Sequence, residues 1–77
     1  MKRIVLKELR RARENRIPAT LVTDLVTGAQ TLIVGEAFYG DPLPDVPDLE
    51  QVIDQVMVKD KGRTIEAGDS RIFVQPF

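Results

Sequence analysis

The chain has 77 residues, 43% of them hydrophobic and 30% charged, with a formal net charge of −1, no cysteine and no histidine. Such a length supports one small core and a single domain over residues 1–77. The missing residue types exclude disulfides, Cys- or His-based metal sites, and thiolate or imidazole catalysis within the chain.

The first sixteen residues hold seven Lys/Arg against Glu8 and Glu14, a net of +5, while the remainder holds four Lys/Arg against ten Asp/Glu, a net of −6. Met1, Val5, Leu9 and Ala12, with Leu6 at the margin, recur on one side of a helix of 3.6 residues per turn. Arg3, Lys7, Arg10, Arg11 and Glu14 then fall on the other side. Arg10, Arg11 and Arg13 oppose the negative end of the helix dipole, and Pro18 predicts that the helix stops ahead of it. This basic start is never continuously apolar, and no run is long enough to span a bilayer, so neither a signal peptide nor a membrane contact is expected. A cytoplasmic location is the corresponding expectation.

The β-branched run ATLVTDLV and the run AQTLIVGE flank Thr27-Gly28, which predicts a hairpin. A two-residue loop pairs Leu21 with Val34, Val22 with Ile33 and Thr23 with Leu32, and gives one face Leu21, Leu25, Leu32 and Val34. GDPLPDVPD, residues 40–48, continues neither a strand nor a helix and reads as an acidic connector. Asp48 with Gln51 matches a capping box, with Asp45 ahead of Pro47 as a competing cap. Leu49, Val52, Ile53, Val56 and Met57 follow the helical spacing, and the stop falls near Lys59 to Gly62. RTIEA and SRIFVQPF flank Gly68-Asp69, a second hairpin with Glu66 opposite Arg71 and Ile65 opposite Ile72. Pro76 places the end of the sheet, or one of its edges, at that point. The expected fold is α+β, of order αββαββ. It is a mostly antiparallel sheet of four strands with both helices on one face.

Each candidate site has two readings. Arg3, Lys7, Arg10 and Arg11 can dock an acidic partner or a phosphate-bearing cofactor, or they are a solvated helix face. Cations at i and i+4 repel by a few tenths of a kcal/mol, and helix stability alone favours interleaved Glu. Asp41, Asp45 and Asp48 are either an oxygen-rich cation site or caps and solubilising groups. Phe38 and Tyr39 either meet another domain or close the core. Ile72, Phe73, Val74 and Phe77 either pack inside or lead into a following domain. Asp24 lacks a second catalytic group at a useful spacing. The acidic remainder, a sequence pI of about 5.3 and the few aromatics argue against nucleic acid.

The run ARENRIPATLVTDLVTGAQTLIVGE, the acidic proline connector, and then GRTIEAGDSRIFVQPF resemble the N-terminal segment of XdhC/CoxI-family proteins. In that family the segment leads into a Rossmann-like domain just after a phrase like FVQPF. The resemblance implies a non-catalytic accessory domain of a factor that inserts the molybdenum cofactor into xanthine-dehydrogenase-like or carbon-monoxide-dehydrogenase-like enzymes. It implies a protein partner, either the client enzyme or the factor's own Rossmann-like domain. The cofactor then belongs to the full-length protein and is not bound by this domain alone. The family's glycine-rich segment with a cysteine, of the form GGGCVE, has no counterpart here, so no family functional residue transfers. The alternative is a small protein-interaction or dimerisation module with no cofactor role, suggested by the small core, the divided charge and a free edge strand.

Overall fold

A computed structural model describes residues 2–77; Met1, which the helical spacing places on the first apolar stripe, lies outside the described residues. The elements are α1 (Arg3–Glu14), β1 (Ala19–Asp24), β2 (Gln30–Val34), β3 (Ala37–Gly40), α2 (Leu49–Lys59), β4 (Arg63–Ala67) and β5 (Ser70–Pro76). The strands make one antiparallel sheet in the order β3-β2-β1-β5-β4. The class is α+β with two helices, as expected, but the sheet has five strands and the order is αβββαββ. The added strand is β3. Gly35, at φ 60°, and Glu36 form a two-residue turn that sets Ala37 opposite Val34. Glycine at the first turn position supplies the positive φ that matches the strand twist.

The first hairpin is offset from its expected register. Leu21 pairs with Leu32 and Thr23 with Gln30, a shift of two residues. Asp24 causes it. Its Oδ1 accepts the N–H groups of Val26 at 2.9 Å and Thr27 at 3.2 Å, and Gly28 donates to the Asp24 carbonyl at φ 82°. This side-chain-templated turn takes up Leu25 to Ala29 and leaves Leu25 in the loop, half exposed. An even shift preserves the faces, so Leu21, Leu32 and Val34 still share one side. The second hairpin has the expected register, Glu66 opposite Arg71 and Ile65 opposite Ile72, with Gly68 at φ 60°. Pro76 ends β5 inside the sheet. Phe77 bonds β1, so the proline's missing N–H faces the side where β4 has already ended.

The expectation that both helices share one face is wrong. α1 buries Val5, Leu9 and Ala12 against Ala19, Leu21 and Leu32. α2 buries Leu49, Val52, Ile53 and Val56 against Val22, Ile33, Ile72 and Val74. Leu21 and Val22 are neighbours in β1, and successive strand residues point to opposite faces, so the sheet lies between the helices. The physical reason is visible in β1. Ala19, Thr20, Leu21 and Val22 are all buried, which one-sided coverage never produces. α1 lies over β2 and β3, α2 lies over β5, and Leu43 and Val46 of the connector pack beside α2.

The helix ends follow local chemistry. α1 closes with Arg16 at φ 57° and the Ile17 N–H on the Ala12 carbonyl at 2.8 Å. The capping box expected at Asp48 does not form. Asp48 is the N-terminal flanking residue of α2, but its φ of 63° is left-handed and its side chain makes no capping bond. Capping by a side chain needs an extended backbone there.

Candidate functional site

Arg3, Lys7, Arg10 and Arg11 all lie exposed on α1, on the side away from the buried stripe of Val5, Leu9 and Ala12. The structure thus brings together the whole basic set that helical spacing predicts. Glu14 shares that side, and Arg11 and Arg13 occupy the last turn, where the helix dipole favours them. Ion pairs among the described residues are Lys2 with Asp41 and Arg71 with Glu66, so none of the four cations is paired. Apolar shoulders flank the basic side. Ile4 is 42% and Leu6 is 48% exposed. Leu6, Leu9, Arg10, Arg13 and Glu14 line a shallow hollow of about 250 Å³, smaller than the ~300–1,000 Å³ typical of small-molecule sites. A surface of this kind suits a charged macromolecular partner better than a buried ligand.

Comparison with protein-family models, curated proteins and solved structures finds no match to this chain.

The acidic residues sort by what they hold. Asp41 ties three elements together. Its Oδ1 accepts from the Lys2 ammonium, and its Oδ2 accepts the Gln30 N–H at 3.0 Å. Its backbone N–H donates to the Gln30 carbonyl, and its own carbonyl accepts the Thr31 hydroxyl at 2.6 Å. The Lys2 bond, and after it the Gln30 N–H, hold the Asp41 carboxyl below the usual carboxylate range. Asp24 is lowered likewise, first by the Val26 N–H and then by the Thr27 N–H. Both carboxylates are accounted for by backbone architecture. Asp45 and Asp48 line an open hollow with Leu43, Pro44 and Val46, and Asp41 is committed to Lys2 and Gln30. Among the described residues no group of three acidic side chains is placed to hold a metal ion.

The aromatic and C-terminal candidates divide as well. Tyr39 packs against the α1 cluster, whereas Phe38 is 60% exposed. Ile72 and Val74 are core, while Phe77 shares a hollow with Ile17, Met57 and Arg13. No helix is long and apolar enough to cross a membrane among the described residues. Sequence reasoning missed the Lys2–Asp41–Gln30–Thr31 clasp and the free edge of β3. The first joins residues 39 apart and leaves no local signal, whereas the Gly35-Glu36 turn signal for the second stands in the sequence.

Proposed function

We propose that the chain is a non-catalytic accessory domain that recognises a protein partner through the basic side of α1. Its setting is the insertion of the molybdenum cofactor into xanthine-dehydrogenase-like enzymes in the cytoplasm, with no role for nucleic acid or membrane. One observation carries the partner-binding part: Arg3, Lys7, Arg10 and Arg11 lie together, exposed and unpaired among the described residues. An acidic surface that neutralised them would gain both charge-assisted hydrogen bonds and relief of their mutual repulsion. The setting rests on the XdhC/CoxI resemblance. Its two strongest phrases, PATLVTDLVTG and RIFVQPF, supply β1 and β5, the adjacent strands at the centre of the sheet. The likeness therefore lies in the scaffold.

The residues present do not suit a molybdenum site. The chain has no Cys or His, and no acidic triad is assembled among the described residues. On this reading the cofactor is held by the Rossmann-like part of a longer protein, and this domain contributes docking. Isothermal titration of the chain into a xanthine-dehydrogenase-like apoenzyme tests the reading. The expected result is salt-sensitive binding that Arg3→Glu, Lys7→Glu and Arg10→Glu together abolish. Absence of binding by the unmodified chain, or indifference to the triple reversal, overturns it.

A further inference from the structure

The two edges of the sheet, β3 and β4, are protected differently. β4 carries Arg63 and Glu66, charges of the kind that discourage edge-to-edge pairing, whereas β3 is Ala-Phe-Tyr-Gly and has none. The free hydrogen-bonding groups of β3 follow from its ladder with β2. The Asp41 N–H donates to the Gln30 carbonyl, and inward and outward groups alternate along an antiparallel strand. Ala37 and Tyr39 therefore turn to β2, and Phe38 and Gly40 direct their N–H and C=O groups to the open edge.

The helix above this edge is self-complementary. Arg13 shares a hollow with Phe77, which follows β5, so that flank of α1 looks toward β5. Helical spacing then puts Ile4, Glu8 and Arg11 on the opposite flank, toward the β3 edge. Ile4 is 42% exposed there, and neither Glu8 nor Arg11 has an ion-pair partner among the described residues.

We infer that a second copy of this chain docks along β3. A two-fold axis perpendicular to the sheet at Phe38 joins the two five-stranded sheets into one and packs α1 against α1. At that axis Phe38 faces Phe38 of the second copy, and the two exchange both backbone hydrogen bonds. Two independent dimensions agree, one across the strands and one along them. α1 lies over β2 and β3, so its axis stands about one strand spacing, ~4.8 Å, from the two-fold. The two α1 helices are then about 10 Å apart, at ordinary helix-packing distance. A Cβ at Gly40 would lie 2.7 Å from Val5 Cγ2, so Val5 stands over Gly40. The midpoint between Glu8 and Arg11 is then ~7 Å further along α1, the length of about two strand residues, which is the height of Phe38. Antiparallel helices centred there set Glu8 of each copy against Arg11 of the other, and symmetry makes both pairs at once. Arg3, Lys7 and Arg10 stay outward, and Arg11 is the one member of the basic set that this interface engages, so client binding is read through the other three.

Sedimentation equilibrium of the whole chain from about 10 µM to about 1 mM tests the inference, with circular dichroism on every variant. The expected result is a monomer–dimer equilibrium whose dissociation constant rises about tenfold or more in Phe38→Lys and stays unchanged in Val58→Lys on α2. Glu8→Arg and Arg11→Glu each weaken the dimer, and the double variant restores it. A monomer throughout, a dimer indifferent to Phe38→Lys, or a double swap no better than its singles overturns it. Should Phe38→Lys fail to fold, the swap series decides alone. Client binding by the Arg3, Lys7 and Arg10 reversal variant is read separately, so the two proposals fail separately.

Discussion

Thr20 and Thr31 form a matched pair that measures what a buried hydroxyl is worth here. Both are buried, but the Thr31 hydroxyl donates to the Asp41 carbonyl at 2.6 Å, and the Thr20 hydroxyl has no partner among the described residues. Replacing each by valine keeps the shape and exchanges the hydroxyl for a methyl group. At Thr20 the change removes an unsatisfied polar group, whose burial costs about 1–3 kcal/mol, and adds a methyl worth about 0.8 kcal/mol when buried. Some of this is lost to imperfect fit of the new methyl group in a packed site, so Thr20→Val is expected to stabilise by about 1–2 kcal/mol. At Thr31 the same change breaks a satisfied bond and orphans a carbonyl, and the expected loss is about 1 kcal/mol. Urea unfolding followed by circular dichroism separates the two through midpoints that move in opposite directions at constant slope. A Thr20→Val variant that is neutral or destabilised would falsify the reasoning, because the Thr20 hydroxyl would then have a partner in solution.

Gly40→Ala is expected to destabilise by about 2 kcal/mol or more, as φ is 95° and the new Cβ would stand 2.6 Å from the Gln30 carbonyl oxygen. A thermal melt within a degree or so of the unmodified chain would contradict the packing of β3 under α1. Asp24 and Asp41 both have folded-state carboxyls lowered from 3.8, so their contribution is fully present above that value. It is lost as pH falls through the folded values, because the unfolded chain then binds protons more readily. Urea midpoints at successive pH values are expected to fall below about pH 4, and less steeply in Asp41→Asn; identical acid slopes would remove Asp41 from the account.

The parts of the fold that were legible in the sequence are those whose determinants are local. α2 follows from five apolar residues at helical spacing, and the β4–β5 register follows from Gly68-Asp69 with Glu66 facing Arg71, which pair at 3.0 Å. The register of the first hairpin is not legible in the Thr27-Gly28 dipeptide, because Asp24, outside it, organises the turn with its side chain. Helix placement was legible in principle. ATLV and TLI are unbroken buried runs, and that pattern means cover on both faces. The basic side of α1 was readable in full from its period. The duty of Asp41 was not, since Lys2 is brought to it only by the finished fold.

The seam between β1 and β5 pairs residues 48 to 56 apart in the chain, whereas every other strand pair is a local hairpin. The molecule is thus two short-range units, α1 with β1 to β3 and α2 with β4 and β5, zipped along one long-range ladder. Forming that ladder carries the loop-closure entropy of folding, so it is the slow event and the hairpins are the fast ones. The same arrangement gives the protein a natural line of division at the proline connector. Two peptides separated there would each retain their own hairpins and meet along β1 and β5 by strand complementation.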